Sequence, residues 1–250
     1  MDSRKSPPYL ERLCRAFPHV EHCTGCLDTE LATQAEVLVM SPGVSVHEPA
    51  LRKAIDAGVE VIGDIELFAR ASMSPIIAVT GSNGKSTVTT LVTRLLEAAG
   101  LAVLTGGNIG RPALDLLRDQ VPDYYVLELS SFQLETTTSL APAVAAILNI
   151  TPDHMDRYED LAEYTAAKAR IARGAGVLVT GRNEMVLDQD TIECARNRIT
   201  FGLDRPAATT DYGVFARPEM NGSPVEVHGS FRRQIFRFPA DITLQMCLPH

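Results

Sequence analysis

With 250 residues, 45% of them hydrophobic and 22% charged, the chain has room for one large domain or two smaller ones around a sizeable core. A formal net charge of -8, from 31 acidic against 23 basic residues, disfavours a nucleic-acid platform, which needs clustered Lys and Arg; a mononucleotide held by one loop stays open. No apolar run approaches the ~20 residues of a membrane span, and the opening MDSRKSPPYLERL lacks the apolar core of a signal peptide, so a cytoplasmic chain without membrane insertion is expected.

In chain order, residues 8–16 read as a helix, 36–40 as a short buried strand, 49–57 as a helix ended by Gly58, and 59–62 as a strand. Cys14 lies in the first helix, and His19, His22, Cys23 and Cys26 follow it before the first strand. Cys23 and Cys26 have the spacing of a zinc or redox half-site, but there is no second CxxC pair. A polar loop that carries thiols is the competing reading. Five scattered cysteines argue against a disulfide scaffold.

The pattern restarts near Gly63-Asp64, which predicts a boundary there. Strands are then expected at 75–80, 102–105, 124–129, 144–149 and 176–180, with helices at 85–99, 112–117 and 161–171. Beyond Arg198 the pattern shortens to strand-like pieces at 212–215 and 234–238. Alternating helices and near-continuous apolar strands imply an α/β fold with a parallel sheet, its ligands at the carboxyl ends of the strands.

The stretch Ala78-Val-Thr-Gly-Ser-Asn-Gly-Lys-Ser-Thr-Val-Thr-Thr-Leu91 sets a glycine turn between a β-branched strand and an amphipathic helix. Gly81, Ser82, Asn83, Gly84, Lys85, Ser86 and Thr87 then form a loop whose backbone N–H groups and helix N-terminus suit phosphate. Only Ser82-Asn83 separate Gly81 from Gly84, two residues fewer than the usual spacing, and an ordinary glycine turn capping a helix is the alternative. In the phosphate reading Lys85 bridges β- and γ-phosphates and Ser86 offers its hydroxyl to Mg2+. Glu128 ends an apolar strand at the same expected edge, either as the acid for that metal or as a carboxylate with a cationic partner. His154 follows the strand at 144–149 in a loop and reads as a ligand or metal residue, or as a capping histidine. Lys168, alone, would be a solvated helix lysine.

Thr80-Gly-Ser-Asn-Gly-Lys-Ser-Thr87, Gly107-Asn-Ile-Gly110, Leu127-Glu-Leu-Ser-Ser-Phe-Gln-Leu-Glu135, Asp153-His-Met-Asp-Arg-Tyr158, Ala166-Ala-Lys-Ala-Arg170 and the earlier Ser41-Pro-Gly43 occur in compatible order. Together they resemble the Mur ligases of peptidoglycan synthesis, most closely their D-glutamate-adding branch, over about residues 1 to 205. The shortened loop with its Asn is that family's form. The resemblance implies a partial Rossmann-like N-terminal domain that binds UDP (1–63), then a P-loop ATPase-type parallel-sheet central domain with short extra β strands (64–250). It implies ATP and Mg2+ as cofactors, with UDP-N-acetylmuramoyl-L-alanine and D-glutamate as substrates of a monomeric enzyme. ATP would phosphorylate the substrate carboxylate, and the amine of D-glutamate would attack the acyl phosphate to give an amide, ADP and phosphate.

Carried over by match, Gly84, Lys85, Ser86 and Thr87 hold ATP phosphates, and Ser86 with Glu128 takes one Mg2+. His154 and Lys168 serve a second, Lys168 as a carbamate formed with CO2. Asn108, Ser130, Gln133 and His154 contact the UDP-sugar, while Asp2, Ser3, Arg4, Ser41, Pro42 and Gly43 correspond to the uracil-side pocket. Lys85, His154 and Lys168 are the catalytic candidates.

The chain departs from the family at both ends. The expected first strand and G-x-G-x-T-G loop are not in it, and the ending Ile242-Thr-Leu-Gln245-Met-Cys-Leu-Pro-His reads as a premature or out-of-frame terminus before the C-terminal domain. On that reading these 250 residues do not themselves join D-glutamate. The rivals are a non-catalytic nucleotide-binding remnant, a folylpolyglutamate-synthase-like ligase that shares the loop, and a P-loop kinase.

Overall fold

The computed structural model describes residues 1–182, 187–204, 211–215, 226–228 and 236–237; the expected ending at 242–250 lies outside them. The first elements are α1 (Leu10–Ala16), α2 (Thr29–Gln34), β1 (Val37–Val39), α3 (Pro49–Asp56) and β2 (Glu60–Ile62). β1 and β2 pair in parallel, Val37 opposite Glu60 and Val39 opposite Ile62. Pro49 opens α3 with a preset φ, Ala50, Leu51 and Ala54 turn its apolar face inward, and Gly58 leaves it in a left-handed conformation at φ 85°. α2 is not among the expected helices. Its six residues carry no periodic stripe, and the Asp28 carboxylate, accepting from the N–H groups of Glu30 and Leu31, starts it.

The larger layer follows: α4 (Asp64–Ala71), β3 (Ile76–Thr80), α5 (Lys85–Ala98), β4 (Val103–Gly107), α6 (Ala113–Leu116), β5 (Tyr124–Glu128), α7 (Ser131–Glu135), β6 (Val144–Ile147), α8 (Leu161–Ala169), β7 (Val177–Gly181), α9 (Gln189–Glu193), β8 (Asn197–Gly202), β9 (Asp211–Phe215), β10 (Glu226–His228) and β11 (Phe236–Arg237). The sheet order is β11-β10-β9-β8-β7-β6-β3-β5-β4. Every pairing from β4 across to β9 is parallel, and β10 and β11 join antiparallel. The expected helix over 161–171 is α8 continued by a 3-10 turn at Arg170–Ala172. α4, α7, α9 and β8 exist where the sequence reading placed nothing regular.

β3 lies between β5 and β6, so the chain leaves β3 toward one side of the sheet and later returns to the other. In open α/β sheets such a reversal marks the carboxyl ends of the strands, here β3, β5 and β6, as the place where ligands bind. Ile76, Ala78, Tyr125, Leu127, Ala145, Ile147 and Leu178 fill the sheet's core, with Leu116, Leu134 and Ile171 from covering helices.

α4 joins the two layers. Its Ile65 and Phe68 are fully buried in the larger core, and the Phe68 ring meets Tyr125 edge-on at 4.9 Å. Beside them sits a buried carboxylate. Glu66 accepts from the N–H groups of Thr138 (2.7 Å) and Ser139 (3.0 Å), from the Ser139 hydroxyl (2.7 Å) and from Arg70 Nε (2.9 Å). Arg70 also pairs with Glu60 on β2, so one guanidinium ties the small sheet to α4.

Candidate nucleotide-binding site

The loop between β3 and α5 is fixed by its own glycines and by β6. Gly84 takes φ 80° at the start of α5, and no side chain caps that helix, so its first N–H groups point into the loop. Gly81, at φ 154°, packs against the Leu148 side chain and the Asn149 backbone, where a side chain would crowd them. Asn149 then pins the loop reciprocally: its side-chain oxygen accepts from Asn83 N–H (2.8 Å) and its amide donates to Asn83 O (3.0 Å). Ser82 is buried, its N–H donating to Asn149 O and its hydroxyl to Thr151 O, with the Tyr164 hydroxyl 3.1 Å away. Ser82 and Asn83 therefore hold the loop's shape with their side chain and backbone, while the exposed Ser86 and Thr87 stand at its mouth.

Two ammonium groups converge there. Lys85 Nζ donates to Gly81 O (2.9 Å) and Ser82 O (3.0 Å), and Lys168 Nζ donates to the same Gly81 O at 2.9 Å. Lys168 is 2% exposed, not solvated, and lies 4.6 Å from the Tyr164 ring centroid. Burial, reinforced by Lys85 and partly opposed by Asp153, lowers its pKa from 10.5 to about 8. Paired cations on one carbonyl give this crevice the positive field that attracts phosphate.

Glu128 ends β5 facing the loop, buried at 2% exposure. Its Oε2 accepts from Ser86 Oγ (2.7 Å) and its Oε1 from Asn108 Nδ2 (2.8 Å). The cationic partner considered from sequence is thus replaced by a hydroxyl and an amide. Gly107, at φ 103°, brings the 107–110 loop onto the Glu128 backbone, where a Cβ would collide with Glu128 O.

Ser130 and Gln133 form a capping box that starts α7, and Gln133 Nε2 reaches Asp64 Oδ2 at 3.1 Å. His154 adopts φ 55° and stands half-exposed, its ring 4.8 Å from Phe132 and its Nε2 3.6 Å from Asp153. Its contacts are these rather than Lys168 or Glu128.

The remaining expected residues meet elsewhere. Asp2, Ser3, Arg4, Ser41 and Gly43 line one cavity of about 480 Å³ between the amino terminus and β1, with Pro42 in the same turn. Arg4 grips Asp2 through Nε (2.9 Å) and Nη2 (2.7 Å), and these charge-assisted bonds hold the Asp2 pKa down at about 2. Cys23 Sγ is 3.6 Å from Cys26 Sγ and Cys14 Sγ 3.9 Å from the His22 ring. Among the described residues no group of three or more His, Cys, Asp or Glu is gathered as a metal site.

Three residues that sequence reasoning missed shape the site: Asn149, Tyr164 and Arg157. Arg157 lies inside a quoted motif, Asn149 ends an expected strand and Tyr164 lies in an expected helix, but the partner of each is 66 or more residues away. No helix among the described residues is long and apolar enough to cross a membrane.

Comparison with known proteins gives this geometry a family. A model of the Mur ligase middle domain matches residues 79–240, and one of the Mur ligase MurD-like N-terminal domain matches residues 1–63. UDP-N-acetylmuramoylalanine--D-glutamate ligase of Nitrosococcus oceani is 50% identical over 217 residues, 87% of this chain and 48% of that protein. Enzymes of the same name from Pseudomonas fluorescens (50% over 221 residues, 88% and 48%) and Pseudomonas aeruginosa (48% over 225 residues, 89% and 48%) match over the same stretch to a similar degree. The chain thus spans about half the length of the curated relatives it matches. Among solved structures, a MurF ligase from Thermotoga maritima in complex with ADP superposes with TM-score 0.52 at 18% identity, covering 82% of this chain and 55% of that one. A UDP-N-acetylmuramate:L-alanyl-gamma-D-glutamyl-meso-diaminopimelate ligase from Neisseria meningitides gives 0.51 at 17%, covering 92% and 75%. The two family models cover 1–63 and 79–240, the identities of 48–50% run through most of the chain, and the chain belongs to the Mur ligase family.

Proposed function

We propose that the chain carries the ATP-phosphate and sugar-nucleotide sites of a ligase that adds D-glutamate to UDP-N-acetylmuramoyl-L-alanine, acting as a cytoplasmic monomer. The observation that carries the reading is the convergence of Lys85 and Lys168 on Gly81 O beside the Ser86–Glu128 pair. In this division residues 1–63 supply the uracil-side pocket around Asp2, Arg4 and Gly43, and residues from 64 onward supply the phosphate crevice.

The donors suit Mg2+, which takes oxygen ligands and needs only one or two carboxylates beside the phosphates it accompanies. Ser86 Oγ and Glu128 would hold it, and Asn108 keeps the Glu128 carboxylate oriented. The ion supplies charge neutralisation at the transferring phosphoryl group. Lys85 would leave the carbonyls of Gly81 and Ser82 for β- and γ-phosphate oxygens, and the α5 N–H groups would cradle them. Carboxylate attack on the γ-phosphorus forms a C–O–P bond and releases ADP. The D-glutamate amine then attacks the acyl carbon, losing a proton and expelling phosphate.

Titrating a fluorescent ATP analogue against wild type and Lys85→Ala tests the phosphate site. Charge-assisted hydrogen bonds contribute about 1.5–3 kcal/mol each, so affinity should fall roughly ten-fold or more; equal affinities would sink the assignment. Adding UDP-N-acetylmuramoyl-L-alanine, with UDP-N-acetylglucosamine as the control, tests the substrate class.

Lys168 is proposed to become a carbamate that joins a second metal with His154. An amine of pKa about 8 is roughly a tenth neutral at pH 7, far more than an ordinary lysine. Its lone pair bonds to the carbon of CO2 and the nitrogen loses a proton, turning the cation into an anion. With 13C-bicarbonate and Mg2+ a carbamate carbon signal should appear in wild type and vanish in Lys168→Ala. Identical spectra from the two proteins would reduce Lys168 to a buried structural amine.

A further inference from the structure

Arg157, in the loop that follows β6, reaches across 113–115 residues of sequence to the turn that lines the amino-terminal cavity. Its Nη1 donates to Pro42 O (3.0 Å), and its Nη2 donates to Val44 O (3.1 Å) and to Glu135 Oε2 (2.7 Å). The guanidinium carbon also lies over the Phe132 ring, 3.9 Å from its centroid, and Phe132 in turn contacts the His154 ring. Tyr158 donates its hydroxyl to the other Glu135 oxygen, so the carboxylate that orients Arg157 is itself held from both sides. The Arg157 and Glu135 side chains are 12% and 10% exposed. A planar fork with five donors can bind two carbonyls and a carboxylate together; an ammonium cannot match that geometry.

The turn it grips supplies Ser41, Gly43 and Val44 to the cavity that also holds Asp2 and Arg4. Among the described residues, few other bonds tie the turn to the larger layer. Its own bond, Val44 N–H to Ser41 O, is local, and the His47–Glu163 contact is half-exposed. We propose that Arg157 is a positioning residue for sugar-nucleotide binding, holding the 41–44 turn in register with the loop that carries His154. The inference rests on the sugar-nucleotide reading of the cavity given above. Arg157 touches no reacting atom in this account; it sets the distance between the uridine end of a substrate and its carboxylate end.

The test compares wild type, Arg157→Met, which keeps the stem over Phe132 without the fork, and Glu135→Gln, which loosens the fork without removing it. Affinities for UDP-N-acetylmuramoyl-L-alanine and for an ATP analogue are measured by calorimetry, and amide hydrogen exchange is followed over residues 43–48. Arg157→Met is expected to weaken sugar-nucleotide binding roughly ten-fold or more, with the ATP analogue within about two-fold of wild type. Amides at 43–48 should exchange faster while those of β3 and β5 keep their protection, and Glu135→Gln should fall between. Unchanged sugar-nucleotide affinity, equal loss for both ligands, or unchanged exchange at 43–48 would each overturn the proposal. Wild-type protein that binds the ATP analogue but no sugar nucleotide would overturn the functional reading itself, whatever the variants do.

Discussion

Replacing Glu66 by Ala is expected to destabilise the fold by about 3–5 kcal/mol, the largest effect of any single substitution considered. Glu66 is 0% exposed and satisfies two backbone N–H groups, one hydroxyl and one guanidinium. Truncation leaves the Thr138 and Ser139 N–H groups without their acceptor and deprives the exposed Arg70 of one of its two carboxylates. Glu66→Gln keeps one acceptor oxygen but points an NH2 at donors, so it should recover only part of the loss. The pH dependence carries a definite sign. Burial alone would raise the Glu66 pKa, but the Ser139 and Thr138 N–H groups, the Ser139 hydroxyl and Arg70 outweigh it and bring it from 4.5 to about 2. A lowered carboxyl pKa stabilises the fold fully above pH 4.5, and this stabilisation is lost as pH falls toward 2; the difference corresponds to roughly 3 kcal/mol. Urea unfolding at pH 7 and pH 3 measures it. The gap between wild type and Glu66→Ala should shrink at pH 3, and equal urea midpoints at pH 7 would disprove the role.

The contrast between Glu66 and Gly81 explains what the sequence disclosed. β3, β5, β6 and β7 were legible because strands buried on both faces must be continuous apolar runs, and Ile76–Thr80 and Tyr124–Glu128 leave no other period to choose. The phosphate loop was legible because its chemistry is local: Gly81, Gly84, Lys85 and Ser86 act within six residues. α4, α7 and α9 were not read, being five to eight residues long with too few turns for a periodic stripe. Two of them did carry a start signal: Ser130 and Gln133 have capping-box spacing, and Asp188 caps α9 by accepting from Thr191 N–H. Glu66, Arg157 and Lys168 look like ordinary surface charges along the chain. Only the folded chain brings Ser139, Pro42 and Gly81 to them across 73, 115 and 87 residues.

Lys168→Met should make the protein more stable at pH 7, by about 2 kcal/mol, while removing the group proposed to bind CO2. A lysine at 2% exposure, with no carboxylate bonded to it among the described residues, is held against its hydration, and its pKa of about 8 against an ordinary 10.5 records the cost. That difference amounts to roughly 3 kcal/mol of folding free energy. Met has a similar unbranched stem and fills the space beside Tyr164 without a charge. The lost hydrogen bond returns about 1 kcal/mol of that gain, no more, because Gly81 O still accepts from Lys85. Removing the second cation also relieves repulsion on Lys85. The slope with pH has the same sign as for Glu66, because both pKa values are lowered, but here the charged form of the group is the one that costs stability. A lowered amine pKa makes the unfolded chain bind more protons between pH 8 and 10.5, so wild-type stability rises across that window and the full cost is present below pH 8. The advantage of Lys168→Met should therefore shrink steadily above pH 8 and vanish at about pH 10, where the remaining cost of the charge equals the roughly 1 kcal/mol of the lost hydrogen bond. Urea unfolding of both proteins at pH 7 and pH 10, in CO2-free buffer without divalent metal, reads this directly. A variant less stable than wild type at pH 7 would mean that the amine is solvated or paired in solution, and would remove the physical basis for its ready reaction with CO2. A more stable variant that has lost the 13C-carbamate signal would instead identify Lys168 as a residue kept at the expense of stability, as expected for a group whose purpose is chemical.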